Sequence, residues 1–206
     1  MTNFVPYVTF MKHAKKVAKG RAVKSRPVLS TVYHSDKHVA VTDRRRLYLA
    51  TGLYEGEEKT LDAQTGQGVE HGKYPDVERL IADSANADYT FDVPVDALYD
   101  TLRAIEIAGR LNKTTELMQI QVNDELIRFK TNGKTAFDVE YSVGNAASVA
   151  ELYTMTLSIK YLKESVHVLK DAKADNVTIE YFSATRPLRL RAGNFTAIVL
   201  PVRTSY

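Results

Sequence analysis

One order of elements recurs along this chain of 206 residues: a strand, a helix, then three strands. Strand-forming stretches alternate apolar and polar residues, and helix-forming stretches repeat at about 3.6, so the order can be read from spacing alone. Such a repeat constrains the fold more than any single motif. Each unit must bury the same kind of sheet face and helix face, and the neighbouring units are the natural cover.

The last third shows the order most plainly. Residues 152–157 alternate as a strand. Over 158–173, Ile159, Leu162, Val166 and Leu169 fall on one helical face. Segments 176–182, 188–191 and 195–202 then read as strands, punctuated by Pro187 and by Gly193-Asn194. The middle third repeats this. A strand at 89–93 ends at Pro94, and a helix over 95–111 buries Leu98, Leu102, Ile105 and Ala108. Strands follow at 117–122, 126–130 and 136–143, with turns at Asn123-Asp124 and Asn132-Gly133. In the first third the spacing predicts a strand at 3–8 and a helix over 10–19, with Thr9 as N-cap and Gly20 as stop. Strands are expected at 28–33, 38–42 and 47–50. Residues 51–72, rich in Gly, Glu and Gln, read as a linker or long loop. The expected class is α+β: three β-α-β-β-β units with helices on one face of antiparallel sheets.

Composition enters where it excludes chemistry. The chain has no cysteine, which removes disulfides and thiolate metal sites and fits a reducing cytoplasm. No stretch has the apolar length of a membrane span, and the first residues lack a signal-peptide pattern. The expectation is a cytoplasmic protein. Gly66-Gln67-Gly68 is too short for a phosphate loop, and no nucleophile sits in a recognisable motif. His34, Asp36 and His38 have metal-compatible spacing but fall on an expected turn. Asn112-Lys113-Thr114 and Asn194-Phe195-Thr196 match the glycosylation pattern, which carries no meaning in the cytoplasm. Glu57 and Glu58 lie in the expected linker, where nothing rigid would hold them for acid-base work. No catalytic residue, metal or cofactor is expected.

Charge is uneven. No acidic residue precedes Asp36, whereas Lys12, Lys15, Lys16, Lys19, Arg21, Lys24 and Arg26 do. Lys160, Lys163, His167 and Lys170 recur on the third helix at spacings of three and four. The middle helix is mixed, with Arg103 and Arg110 beside Asp96, Asp100 and Glu106. A lysine stripe is ordinarily a solvated face. Two stripes on equivalent helices of a repeat would share one surface suited to phosphates.

Three segments resemble the bacterial DNA polymerase III beta subunit family, the replicative sliding clamps. Thr42-Asp43-Arg44-Arg45-Arg46-Leu47 is similar to the family's Thr-Asp-Gly-His-Arg-Leu. Tyr74-Pro75-Asp76-Val77-Glu78-Arg79-Leu80 is similar to Phe-Pro-Asp-Tyr-Arg-Arg-Val, and Ile198-Val199-Leu200-Pro201-Val202-Arg203 to Val-Val-Met-Pro-Met-Arg. Asp175-Asn176-Val177 resembles the family's Glu-Asn-Val after the last helix. The resemblance implies a DNA-clamp-like fold in a shortened form. Residues 1–50 would make a half domain of one unit, 51–73 a linker, and 74–206 a full domain of two units.

It also implies function. The family has no catalytic centre. Its helices line a central hole, and a hydrophobic pocket takes short peptides with leucine and aromatic anchors. Carried over by motif, the peptide-binding candidates are Thr42, Arg46, Leu47, Pro75, Leu80, Ile198, Leu200 and Val202. Several of these would alternate in the same way in an ordinary core strand. Arg44 and Arg45 replace the family's Gly-His and would make the rim bulkier and more basic. The DNA-facing candidates are Lys12, Lys15, Lys16, Lys19, Lys160, Lys163 and Lys170, as hydrated point charges for sequence-independent phosphate contact. The implied partners are double-stranded DNA, DNA polymerase or other clamp-binding proteins, and further copies of the chain. The competing reading is an adaptor or decoy that kept the peptide pocket and lost the ring.

Overall fold

The structure, a computed structural model, describes residues 4–19, 25–70, 72–82, 86–112, 116–132, 137–145, 147 and 150–203. The first unit holds α1 (Tyr7–Val17), a 3-10 turn (Pro27–Ser30), β1 (Thr31–His34), β2 (Val39–Thr42) and β3 (Arg46–Ala50). The segment after it carries β4 (Lys59–Asp62) and α2 (Val77–Ala82). The second unit is β5 (Tyr89–Pro94), α3 (Val95–Leu111), β6 (Leu117–Val122), β7 (Leu126–Thr131) and β8 (Glu140–Gly144). The third is β9 (Tyr153–Ser158), α4 (Ile159–Asp171), β10 (Asn176–Tyr181), β11 (Leu188–Ala192) and β12 (Phe195–Val199).

The α+β class and its antiparallel sheets are as the spacing predicts. Eight strands form one sheet in the order β4-β1-β2-β3-β12-β11-β10-β5, and four form another in the order β8-β7-β6-β9. The second and third units exchange their leading strands. β5 pairs with β10, from Asn176↔Pro94 to Tyr181↔Tyr89, and β9 pairs with β6, from Leu117↔Ser158 to Val122↔Tyr153. Neither unit therefore has a complete sheet of its own. Leu98, Leu102 and Ile105 of α3 and Leu162, Val166 and Leu169 of α4 are buried in one core with Met118, Ile120 and Phe129 of the smaller sheet. On β6 the burial alternates strictly, so its outer face stays half-exposed.

The first unit departs from expectation in three places. No strand forms at the described part of 3–8. Helix α1 starts at Tyr7 behind Pro6, whose φ of −68° and ψ of 153° make it the N-cap residue in place of Thr9. Proline suits a helix entry because its φ is fixed and it has no N–H to leave unpaired. A leading strand needs an edge to pair with, and the described residues offer none there. The expected stop, Gly20, lies outside the described residues. The expected strand at 28–33 is shortened by the 3-10 turn, where Thr31 Oγ1 donates to the Val28 carbonyl at 2.7 Å.

The expected linker is the third departure, because it contains β4. This strand pairs with β1 from Thr31↔Asp62 to His34↔Lys59. It takes beside β1 the place that β5 takes beside β10. Asp62 ends it by accepting from the Gln64 and Thr65 amides at 2.9 and 2.8 Å, a local turn that its spacing alone allows.

The units meet where β3 pairs antiparallel with β12, from Phe195↔Ala50 to Val199↔Arg46. Every residue of β2 and β3 is buried. Their helix-facing side, with Val41, Tyr48 and Ala50, belongs to the main core. Their other side, with Ala40, Leu47 and Leu49, packs with Ile198 under Val28, Leu29, Tyr74 and Val77.

Candidate functional site

The helices form one layer. α4 packs against both α1 and α3. Polar contacts join them above the shared core. Asp171 at the end of α4 accepts from Lys12 Nζ at 2.8 Å and pairs with His13 Nε2 at 2.7 Å. The His13 and His167 rings meet edge to face at 5.1 Å. Lys163 Nζ donates to Glu106 of α3 at 2.6 Å. Lys170 lies 3.1 Å from Asp96 and sits over the Tyr99 ring at 4.8 Å.

Burial pushes His13 down to about 4, although the bond to Asp171 pulls the other way. Burial would raise Asp171, but the bonds from Lys12 and His13 outweigh it and bring the carboxyl down to about 2. At neutral pH the pair is a neutral imidazole donating Nε2–H to a carboxylate.

The seven lysines of the expected phosphate-facing set therefore divide. Lys12, Lys163 and Lys170 are tied to carboxylates. Lys15, Lys16, Lys19 and Lys160 are exposed and form no ion pair among the described residues. Three of the four free lysines lie on or just beyond α1.

The second candidate surface is the side of the eight-stranded sheet away from the helices. Leu47 and Ile198 are neighbours across the junction and form its floor. Tyr74 lies over them, stacked on Tyr33 at 5.4 Å, and its hydroxyl receives the Thr42 amide at 3.2 Å. Burial pushes the Tyr74 hydroxyl well above its ordinary range. Asp76 starts α2 by accepting from the Arg79 amide at 3.1 Å. Thr42 is buried, with its Oγ1 donating to the Arg46 carbonyl at 2.7 Å. Pro75 and Val202 are half-buried and Leu200 is exposed. The Leu80 side chain lies outside the described residues. Thr42, Leu47, Pro75 and Ile198 thus lie together around Tyr74, which with Val77 covers the floor, whereas Val202 donates its amide to Thr156 of β9 at 2.9 Å and lines a separate cleft with Gln119 and Thr154. The nearest large cleft, about 790 Å³, lies beside Tyr74 between β4 and Pro75 and is lined by Lys37, Lys59, Lys73, Glu58, Glu70 and Glu78 among others.

Arg46 does not stand on the rim that the motif implies. It is buried, with Nε donating to Asp43 at 3.2 Å and Nη1 bonding Glu164 of α4. The guanidinium lies over the Tyr161 ring at 4.8 Å and near Tyr48 at 5.6 Å. A planar cation between two rings and two carboxylates is a favourable setting for arginine. Its geometry fastens the first unit to the third. Glu164, Tyr161, His13 and Asp171 carried no motif in the sequence, since Arg46 meets Glu164 and Tyr161, and His13 meets Asp171, across more than a hundred residues.

No family model matches the chain. Over 140 residues it is 26% identical to the beta sliding clamp of two strains of Streptococcus pneumoniae, covering 65% of this chain and 35% of theirs. The chain thus spans about a third of the length of the curated relatives it matches. In solved structures it is similar to the DNA polymerase III beta chain of Streptococcus pneumoniae, with a TM-score of 0.75 and 17% identity over 99% of this chain and 64% of that one. The fold is that of the bacterial beta sliding clamp. A Helicobacter pylori beta clamp bound to a DNA ligase peptide gives a TM-score of 0.70 at 11% identity, over 97% of this chain and 64% of that one. The likeness in fold thus extends along nearly all of this chain and about two thirds of the solved clamps. Among the described residues no helix is long and apolar enough to cross a membrane, and no cluster of three metal-ligating side chains occurs.

Proposed function

We propose that this chain is a non-enzymatic, sliding-clamp-like processivity factor. It would hold duplex DNA against its helix layer and tether DNA polymerase or other replication proteins through the outer side of its sheet. The observation that carries the reading is the helix layer of a clamp fold with Lys15, Lys16, Lys19 and Lys160 left free on it. Paired lysines offer little to phosphate, whereas free ones release counterions and bind without reading sequence. Lys12, Lys163 and Lys170 are proposed as weaker contributors, because each already has a carboxylate.

The domain limits are part of the same proposal, with 1–50 and 74–206 as clamp-like parts. So is the peptide site. Leu200, Val202 and Pro75 would meet a peptide directly, with Leu47, Ile198, Leu80 and Thr42 beneath or beside them. Arg46 would act only if it left Glu164. A Helicobacter pylori clamp of this fold has been solved with a DNA ligase peptide, which supports looking there. A clamp-derived adaptor that never encircles DNA is the second reading. The observation favouring it is β4, which completes the sheet edge of the first unit from within the chain.

Retention on circular against linearised plasmid tests the choice. A topological clamp stays on the circle and runs off the free ends, and Lys15→Glu with Lys16→Glu and Lys19→Glu weakens loading more than Lys163→Gln. Equal loss from both plasmids would favour the adaptor. For the peptide site, a fluorescent peptide with leucine and aromatic anchors should bind the wild type and not Leu200→Asp. Unchanged binding would move the site elsewhere.

A further inference from the structure

The turn between β2 and β3 is a two-residue hairpin loop. Asp43 and Arg46 close it, with the Asp43 amide donating to the Arg46 carbonyl at 3.3 Å, and Arg44 and Arg45 occupy its centre. Arg44 has a φ of 72°. That is the left-handed region, where a Cβ is strained and glycine is the natural first central residue of such a loop. An arginine held in a strained position points to a use for its side chain. The loop is well fastened. Thr42 Oγ1 accepts from the Arg44 amide at 3.2 Å, and Asp43 Oδ1 accepts from the Arg45 and Arg46 amides, both at 3.0 Å.

Asp43 is the loop's own carboxylate, but it does not serve these two arginines' side chains. It is buried, and its second oxygen accepts from Arg46 Nε at 3.2 Å. Arg44 and Arg45 are both exposed, and neither forms an ion pair among the described residues. Two adjacent guanidinium groups thus stand on a fixed base with no counter-charge from the turn that carries them.

Their neighbourhood is apolar. The Leu200 amide donates to the Arg45 carbonyl at 2.9 Å, which ties Leu200 to the loop, and the residue is 39% exposed. Leu47, one residue past Arg46, lies beside Ile198 on the floor. Beyond Ile198, β11 turns Arg189 and Arg191 to the same side of the sheet, since Arg189 is the register partner of Ile198 and Arg191 of Thr196. Arg191 lies 3.5 Å from Glu180, whose other oxygen is bound by Arg189. The apolar residues of the proposed peptide site therefore have arginines on both sides.

We propose that Arg44 and Arg45 make this site selective for peptides that carry aspartate or glutamate beside their leucine and aromatic anchors, a preference that rests on the peptide reading above and adds to it the charge of the partner. A guanidinium donates two parallel N–H bonds to a carboxylate, a match that a neutral amide side chain does not offer. Because both arginines are exposed, their weight lies in the choice of partner and the rate of encounter more than in raw affinity. Two such pairs together change Kd about tenfold at low salt. Phosphates of a duplex are the rival anion, but a duplex offers nothing to the exposed leucine beside the loop.

The experiment titrates the full chain with two fluorescent peptides that share their leucine and aromatic anchors and differ only in Asp against Asn at the flanking positions. Fluorescence anisotropy at low salt should give a Kd about tenfold lower for the Asp peptide, and the gap should close at high salt. Arg44→Gly with Arg45→His should bind the two peptides alike. Arg44→Gly relieves the left-handed strain, so the urea midpoint should hold or rise, and a lost preference is then not lost folding. Arg44→Lys with Arg45→Lys keeps the charge without the fork and should retain part of the preference. Equal binding of both peptides by the wild type overturns the inference and leaves the peptide site standing. Binding of neither peptide overturns the site itself, and the inference with it. An Asp preference that survives Arg44→Gly with Arg45→His belongs to other residues, and loss of duplex binding in that variant with the preference intact gives the rim to DNA; either result overturns the inference.

Discussion

The two-unit domain and the first unit build the same kind of four-stranded half-sheet by different means. In the domain, β10, β11 and β12 receive β5 from the other unit, and the debt is returned when β9 joins β6. The exchange makes each unit's sheet depend on the other. In the first unit, β1, β2 and β3 receive β4 from the following segment. That strand satisfies the edge but brings no second sheet and no second helix. The first unit is consequently held by its junction with the third. There the β3·β12 ladder, the Arg46–Glu164 pair and the His13–Asp171 contact all cross the same seam. An exchanged strand makes folding of two units a single event, whereas a strand borrowed from the following segment leaves the first unit separable.

The largest expected effect lies inside the domain. Leu102→Ala removes a fully buried side chain from α3 and should cost about 3–4 kcal/mol. Urea unfolding by circular dichroism should remain a single transition, because the exchanged units fall together. Arg46→Met should cost about 3 kcal/mol by leaving Asp43 and Glu164 without their cation. Here the transition should split, with hydrogen exchange rising first in β1, β2 and β3. A single sharp transition would show that the first unit is not separable.

Acid should act on the same seam. Because His13 titrates near 4 when folded and near 6.5 when unfolded, its contribution is present above about 6.5 and is lost as pH falls toward 4. Asp171, lowered to about 2 from 3.8, keeps its contribution above about 4 and loses it as pH falls from there to 2. The urea midpoint of the first unit should therefore drop in two steps, the upper one worth about 2 kcal/mol after solvent screening. His13→Gln should shrink the upper step, leaving the part carried by His34, His38 and His167, whose imidazoles burial also pushes down, and an upper step left unchanged would assign it to those groups alone. The smallest effect is expected at β4. Asp62→Ala removes the turn that ends the strand and should cost about 1 kcal/mol, seen as faster exchange at 59–69 with the domain untouched.

Much of this was legible from residue spacing. Helix α3 spans the residues that its apolar face predicts, and β6, β7, β10 and β11 fall within a residue of their alternating stretches. Each of these elements buries one face against a continuous core, so the pattern is written locally. The places that were not legible share a cause. β4 is a four-residue strand with no buried position, so no alternation betrays it. Residues 4–8 carry a strand-like mixture, yet the chain enters a helix there because Pro6 caps it and no edge is available.

The candidate sites divide along the same line. Motif and charge singled out Arg46, Leu47, Ile198 and the lysines on α1 and α4. Only the folded chain decided that Arg46 turns inward to Glu164, that three lysines meet carboxylates, and that Tyr74 lies over Leu47 and Ile198. The sequence by itself determined the three units, their order and the faces they bury, because period and polarity act over a few residues. The tertiary structure decided which unit lends a strand to which, and which charges remain free. Those outcomes depend on partners far apart in the chain, and nothing in local spacing encodes them.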